Sequence, residues 1–229
     1  MKDQDIKLAV DAVVFGYKDD GLFVLLVKQK YGPFINQWVL PGGFVKHDEA
    51  LRDAVYRELL EETNVELDYL EQLYTFGDDI NRDPRFRVVS VAYLGLVNPK
   101  SVSIKPDTDA LDVAWFRLDN IDILPFDHKL IIDKGIERLQ SKLNYKPIGF
   151  DLLDHEFVFS DLENLYRIIL RRDIDRRNFR KKILSFGILE ETKKVKSVGS
   201  GRPGKVYTFN KIKYKELEES GFVFEIKFA

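Results

Sequence analysis

Three glutamates on one predicted helical segment are the side chains of this sequence best suited to chemistry. On a helical wheel, Glu58, Glu61 and Glu62 fall on or beside the apolar stripe that should face the protein interior. That stripe is formed by Leu51, Ala54, Val55 and Leu59. Carboxylates three and four residues apart repel one another, and partial burial raises the cost unless a cation compensates. Oxygen ligands of this kind suit a hard divalent ion, Mg²⁺ or Mn²⁺.

The same spacing is also compatible with an ordinary charged helix. Its glutamates would then reach water, and Arg57 would pair with Glu61 on the next turn. Helix periodicity alone leaves both interpretations open, so the residues around the helix have to separate them.

A longer motif surrounds this helix. It runs from Gly43 to Val65 as G-x5-E-x7-R-E-L-x-E-E-x-N-V, and the segment WVLPGG at 38–43 leads into it. The pattern closely resembles the Nudix box, which has Gly where this chain has Asn64. Because Asn is second only to Gly in the left-handed conformation of a helix C-terminal cap, we expect the helix to end normally there.

The resemblance implies a role for each matching residue. In Nudix hydrolases the three glutamates are catalytic and coordinate Mg²⁺, which bridges a pyrophosphate and lowers the pKa of an attacking water. Arg57 would orient the glutamates. Gly42 and Gly43 would let the backbone approach ligand and metal, and Trp38 would border the ligand pocket.

Three arginines follow the box within six residues. Arg82, Arg85 and Arg87 stand beside a predicted strand, where guanidinium groups could bind a phosphate or carboxylate in bidentate fashion. On chemistry alone, a solvated loop with Asp–Arg pairs is the favoured interpretation.

The segment that contains these arginines, RDPRFRVVSVAY at 82–93, resembles the Nudix-related transcriptional regulators. In that family an N-terminal Nudix domain senses a metabolite and a C-terminal winged helix binds operator DNA. Members respond to ADP-ribose or related NAD metabolites, and relatives respond to a pentose such as arabinose. The resemblance extends over nearly the entire chain.

A strongly basic segment occupies the C-terminal part of the sequence. Residues 171–205 contain 12 Lys and Arg against 4 Asp and Glu. Within it, Phe179, Ile183 and Phe186 form the buried face of a helix predicted over 175–186. The remaining faces carry the candidate DNA-binding residues Arg176, Arg177, Asn178, Arg180, Lys181 and Lys182. This division is typical of a recognition helix, although a solvated basic helix is the alternative.

A predicted hairpin follows the basic helix. Arg202 and Lys205 lie at its tight turn, where they suit a wing placed over phosphates or in the minor groove. Helix, turn, helix and basic hairpin together are the order of a winged helix-turn-helix domain.

Elements able to position these residues can be assigned along the chain. Strands are predicted over 8–15, 22–28, 38–40, 87–97, 112–118, 195–198 and 205–209, and helices over 48–63, 127–143, 161–170 and 175–186. The order indicates an α/β fold: a Nudix-type α/β/α mixed-sheet domain over 1–145, followed by a small winged helix-turn-helix domain over 146–229. The helix over 127–143 is expected to link the two and to transmit ligand binding.

Composition excludes several classes of protein. With no cysteine, the chain has neither disulfides nor zinc–thiolate sites. It lacks both an apolar stretch long enough for a membrane helix and the apolar core of a signal peptide, so we expect a cytoplasmic protein without membrane contact. His47, His128 and His155 fit no metal motif and are interpreted as surface or packing residues.

These observations favour a ligand-responsive transcriptional repressor. The expected partners are double-stranded operator DNA, a second copy of the chain in a homodimer, and either a nucleotide sugar such as ADP-ribose, held through Mg²⁺, or a free pentose. The rival is an active Mg²⁺-dependent Nudix hydrolase of ADP-ribose-like compounds, whose C-terminal module serves dimerisation or RNA contact. A bifunctional enzyme and repressor is the third hypothesis.

Overall fold

A computed structural model describes residues 5–106, 110–197 and 203–226 of the chain. Its contacts divide the chain into two units, residues 1–138 and 139–229. The boundary falls inside helix α2 (His128–Lys142), which corresponds to the helix predicted over 127–143. Each unit is described separately.

The first unit is built on a seven-stranded mixed sheet. Its strands are β1 (Ile6–Lys18), β2 (Gly21–Gln29), β3 (Trp38–Val39), β4 (Gly42–Phe44), β5 (Tyr69–Phe76), β6 (Arg87–Val97) and β7 (Ala110–Arg117). Their order is β3-β2-β1-β6-β5, with β4 paired to β1 and β7 paired to β2. Strands β1 and β6 run parallel from Ile6↔Arg87 to Gly16↔Val97, and the other pairs are antiparallel.

Both faces of the central strand β1 are buried, which explains its nearly continuous apolar sequence. Val10 and Val14 belong to the same core cluster as Ala54 and Leu59 of α1 (Leu51–Thr63). On the opposite face α2 approaches so closely that a Cβ on Gly135 would lie 3.0 Å from Val13. The helix–sheet–helix arrangement predicted for this domain is therefore confirmed.

Helix α1 ends as the sequence predicts. Asn64 adopts the left-handed conformation (φ 58°, ψ 29°), and its backbone N–H donates to the carbonyl oxygen of Leu60. The Asn64 side chain also donates to the carbonyl oxygen of Ser103 at 3.1 Å. Asn64, where the Nudix box has glycine, therefore neither shortens helix α1 nor removes its C-terminal cap.

The second unit has the order of a winged helix. It comprises β8 (Phe157–Val158), α3 (Phe159–Leu170), α4 (Arg176–Ser185), β9 (Leu189–Lys196), β10 (Gly204–Phe209) and α5 (Lys211–Glu219). Strand β10 lies between β8 and β9 in a three-stranded sheet. Its core is aromatic, with Phe159, Tyr166 and Phe179 in contact.

Some elements differ from the predictions. Strands β4 and β5 and helix α5 are additional, and β9 begins six residues before the predicted strand at 195. Helix α3 begins at Phe159, two residues before the predicted helix at 161. The predicted turn residue Arg202 lies outside the described residues. None of the helices within the described ranges is both long and apolar enough to cross a bilayer.

Candidate functional site

Arg57 is the centre of an ion-pair cluster on α1. Its guanidinium donates to both carboxylate oxygens of Glu49, at 2.6 and 2.9 Å, and to Glu58 at 2.7 Å and Glu61 at 3.2 Å. Hydrogen bonding to Arg57 lowers the pKa of Glu49 to about 2. The same bonds, led by that to Glu49, raise the pKa of Arg57 although burial opposes its charge. The role predicted for Arg57, orienting the glutamates, fits this geometry.

The two glycines of the box lie against the other glutamates. The backbone N–H of Gly42 donates to Glu62 at 2.9 Å. A Cβ on Gly43 would be closer than van der Waals contact to the Glu58 carboxylate. One on Gly42 would collide with the carbonyl oxygen of Val10. Glycine is therefore required at position 42 to leave room for the backbone of Val10, and at position 43 to leave room for the Glu58 carboxylate.

The donor chemistry of the box fits a hard divalent cation, because Glu58, Glu61 and Glu62 supply only carboxylate oxygens. In this arrangement Arg57 engages two of these carboxylates and Gly42 the third. Across residues 5–106, 110–197 and 203–226, no three acidic or histidine side chains converge as a metal-binding group. Because Gly43 has no side chain, the Glu58 carboxylate can lie directly against the backbone of the box, a position compatible with its use as a metal ligand.

A small cleft of about 90 Å³, partly open to solvent, lies beside the box. Among its lining residues are Gly42, Gly43, Glu62, Arg82 and Arg85, all of them predicted site residues. The structure therefore brings together the box and two of the three arginines, which lie far apart in sequence.

Two other predicted ligand-binding residues are placed elsewhere. Trp38 packs edge-on against Phe116 of β7, with ring centres 4.7 Å apart. Arg87 donates to the carbonyl oxygen of Gly77 at 2.7 Å. Neither residue is among those that line the cleft.

The two arginines of the cleft have different environments. Arg82 is buried and donates to Asp127 at 2.6 and 2.9 Å and to Asp11 at 3.3 Å. Burial opposes its charge, but the hydrogen bonds and charges of these carboxylates outweigh burial and raise the pKa of Arg82. With two anionic partners already in place, Arg82 stabilises the cleft floor rather than presenting a free cation.

Arg85 is more accessible than Arg82. Asp83 accepts from its Nε at 3.0 Å and from its Nη2 at 2.8 Å, and the guanidinium lies 5.6 Å from the ring centre of Phe44. Hydrogen bonding to Asp83 raises the pKa of Arg85. Since Asp83 accepts only from the Nε–Nη2 edge of the guanidinium, the edge that carries Nη1 can bind a ligand.

The sequence analysis missed Asp11 and interpreted His128 only as a surface or packing residue. Both are buried and line the cleft, with His128 Nε2 3.5 Å from Asp11. The backbone N–H of Leu40 donates to His128 Nδ1 at 2.9 Å, which fixes the neutral tautomer, and burial lowers the pKa of His128. Ser90 donates to Asp11 at 2.5 Å. A polar residue inside the apolar run of β1 was the only available signal, because every partner of Asp11 is distant in sequence.

The basic helix α4 presents most of its predicted residues to solvent. Asp175 caps the helix by accepting from the Asn178 backbone N–H at 3.0 Å, while Phe179 and Ile183 are buried. The exposed side chains are Arg176, Arg177, Asn178, Lys181 and Lys182. This helix can place guanidinium, ammonium and amide groups in a DNA groove while its other face stays anchored.

Two of the cations predicted to bind DNA have partners within the domain. Arg180 is half-buried and donates to the Tyr207 hydroxyl at 3.1 Å, which differs from the solvent-facing position expected. Lys205 is exposed and pairs with Glu191 at 2.8 Å. A surface pair of this kind exchanges readily for a phosphate.

Comparison with protein families matches two segments of the chain. Residues 5–139 match the NUDIX domain, and residues 149–209 match the NrtR DNA-binding winged helix domain. The chain is 32% identical over 207 residues to the ADPR responsive transcriptional repressor NtrR of Acinetobacter baylyi, covering 88% of this chain and 81% of that protein.

Two solved structures are also similar. Shewanella oneidensis NrtR complexed with a 27mer DNA superposes with a TM-score of 0.79 at 32% identity, covering 96% of this chain and 99% of that chain. The NUDIX domain of Shewanella oneidensis NrtR complexed with ADP ribose superposes with a TM-score of 0.56 at 39% identity, covering 60% and 90%. The predicted combination of a Nudix domain with a winged helix is confirmed.

Proposed function

Because this chain belongs to the Nudix domain family and to the NrtR family of transcriptional regulators, we propose that it is an ADP-ribose-responsive transcriptional repressor. The observation that carries the proposal is α4, whose exposed Arg176, Arg177, Asn178, Lys181 and Lys182 stand on a helix anchored by its buried face. The second unit binds operator DNA, and the first unit controls that binding.

DNA recognition is assigned to the exposed face of α4. Arg177 and Asn178 can contact base edges, since Arg pairs with guanine and Asn with adenine in the major groove. Lys181 and Lys182 supply phosphate contacts that set the register of the helix on the duplex. Lys205 adds a wing contact if it exchanges Glu191 for a phosphate.

Effector binding is assigned to the cleft of the first unit. Arg85 is the residue we expect to bind the diphosphate, because one edge of its guanidinium faces away from Asp83. Phe44 and Phe126 offer apolar surface for the rest of the ligand. A free pentose would use Asp11 and Asp83 as hydroxyl acceptors instead, but both carboxylates already hold arginine or serine donors.

Mg²⁺ is proposed as an accessory ligand rather than a structural one. Glu58, Glu61 and Glu62 would hold it, and when bound it would neutralise the diphosphate. Without metal, Arg57 compensates the negative charge of the box, which therefore keeps its shape. The complete glutamate set also leaves residual hydrolysis of ADP-ribose as the second candidate activity.

The proposed role implies an assembly and a place of action. A homodimer is proposed because palindromic half-sites need two recognition helices. The cytoplasm is proposed because an operator-binding protein must reach chromosomal DNA.

Fluorescence anisotropy with labelled DNA from upstream of the neighbouring genes tests the repressor function. Specific binding should survive scrambled competitor DNA and should change on addition of ADP-ribose, with and without Mg²⁺. Arabinose serves as the pentose control. If DNA binding responded to arabinose and not to ADP-ribose, the effector would be the pentose. A lack of preference for any promoter fragment would refute the repressor role. Product analysis of ADP-ribose incubated with Mg²⁺ and either wild type or Glu61→Gln detects the hydrolase activity.

A further inference from the structure

We propose that Arg180 is a positioning residue that fixes the base of the wing to the recognition helix, and that it makes no contact with DNA. Here the wing is the hairpin of β9 and β10. The inference rests on the proposed DNA-binding function and refines it, because it separates one arginine of α4 from its basic neighbours.

The Arg180 side chain joins three elements of the second unit. Its Nη2 donates to the Tyr207 hydroxyl of β10 at 3.1 Å. Its guanidinium carbon lies 4.5 Å from the ring centre of Phe159 at the start of α3, and 6.0 Å from that of Tyr207. Both aromatic residues are buried, and cation–π attraction strengthens when the cation is shielded from water. The arginine therefore has a directional hydrogen bond and a stacking surface.

Tyr207 lies where the wing leaves the body of the domain. It pairs with Phe157 of β8 on one side and with Glu191 of β9 on the other. The β9–β10 register shifts between Lys205 and Tyr207, so the regular pairing of the hairpin is interrupted there. Because an interruption of the ladder bends and twists a hairpin, the direction of the outer wing depends on how Tyr207 is held.

The other cations of α4 are arranged differently. Arg176, Arg177, Lys181 and Lys182 are exposed, whereas Arg180 is half-buried on the side of the helix that faces Phe159. Turning Arg180 towards a phosphate would break its bond to Tyr207 and uncover the Phe159 ring. The contacts of Arg180 therefore lie inside the domain, where they set the spacing between α4 and the wing.

The salt dependence of operator affinity distinguishes the two roles. Each phosphate contact contributes about −0.9 to the slope of log affinity against log salt. Between 50 and 200 mM salt, Arg180→Lys should lower operator affinity about 10-fold, because the hydrogen bond to Tyr207 and the stacking on Phe159 are lost while the charge is kept. Arg180→Gln removes the charge and should still leave the slope unchanged, because Arg180 contacts no phosphate. Arg177→Gln, the matched variant on the exposed face, should reduce the magnitude of the slope by about 0.9.

Tyr207→Phe tests the same contact from the other side without changing charge or removing the ring. It should lower affinity about 3-fold, again at constant slope, as one hydrogen bond of modest net strength predicts. Combined with Arg180→Lys, it should add little further loss, because interacting residues are not additive. Thermal denaturation and circular dichroism of each variant show that the domain remains folded.

Wild-type affinity for both Arg180→Lys and Tyr207→Phe would overturn the inference. So would an Arg180→Gln variant whose slope falls as far as that of Arg177→Gln, since this would make Arg180 a phosphate contact. Failure of the proposed function looks different, because the wild-type protein itself would then show no preference for operator over scrambled DNA.

Discussion

Arg82 donates two hydrogen bonds, at 2.9 and 2.6 Å, to the carboxylate of Asp127, which lies 45 residues further along the chain. This pair connects the loop before β6 to the residue that precedes α2. Asp11 of β1 accepts a third hydrogen bond from Arg82, and His128 follows Asp127 directly. The floor of the cleft is therefore a buried charged network shared by several elements.

Removing one member of this network should be costly. We expect Arg82→Met to destabilise the protein by about 3 kcal/mol, because it leaves Asp11 and Asp127 buried without their cation. Urea unfolding measures the loss. Arg117→Met is the control. Arg117 pairs with exposed Asp119, so this substitution should lower the free energy of unfolding by less than about 1 kcal/mol. Equal losses for the two variants would contradict a structural role for Arg82.

Stability should fall in mild acid because of His128. Its pKa is lowered in the folded protein by burial, although Asp11, Asp127 and Asp83 oppose that shift and Arg82 adds to it. The unfolded state therefore binds a proton first, so this contribution is complete above a pH of about 6.5 and is lost as pH falls below it.

The variant His128→Asn tests that pH dependence. Its amide oxygen can still accept from the Leu40 N–H but has no charge to gain. We expect a flatter stability profile between about pH 5 and 7 than in wild type, with exposed His47→Asn as the control. A His47 variant that flattens the profile as much as the His128 variant would reject the assignment.

The two box glycines should respond differently to alanine. Gly43→Ala would push aside the Glu58 carboxylate, so we expect weaker ADP-ribose binding with Mg²⁺ and little change in stability. Gly42→Ala meets the backbone oxygen of Val10, which cannot move as freely, and should cost about 1–3 kcal/mol of stability. Calorimetry and urea unfolding separate the two effects. Identical stability losses would count against this explanation.

Arg57 should control the titration of Glu49. In Arg57→Gln we expect the pKa of Glu49 to rise from about 2 towards its ordinary value of about 4.3, because the main hydrogen-bond partner is gone. A carboxyl group with a lowered pKa stabilises the fold above its unfolded pKa and loses this effect as pH falls towards 2. NMR titration of the Glu49 carboxyl carbon measures the shift. An unchanged pKa would show that Arg57 is not its cause.

Elements with a regular pattern could be predicted, and irregular ones could not. In β5 the buried residues are Leu70, Leu73 and Phe76, three apart, because a register shift between Gln72 and Tyr74 breaks the alternation of a strand. Helix α5 is nine residues long and none of them is buried, so its few apolar side chains do not form the core-facing stripe that identifies a helix. Strand β4 is three residues long and contains two glycines.

The sequence by itself determined the features that depend on neighbours along the chain. The glutamate helix, its Asn64 cap and the division of α4 into apolar and basic faces all follow from helical periodicity and local conformational preference. Only the tertiary structure decided which charged groups meet: Asp11 with Arg82 and Asp127, and Arg180 with Tyr207 rather than solvent. The physical reason is that partners far apart in sequence are selected by the packing of the sheet and helices between them. The charge of an arginine is encoded locally, but its accessibility is a property of the whole fold.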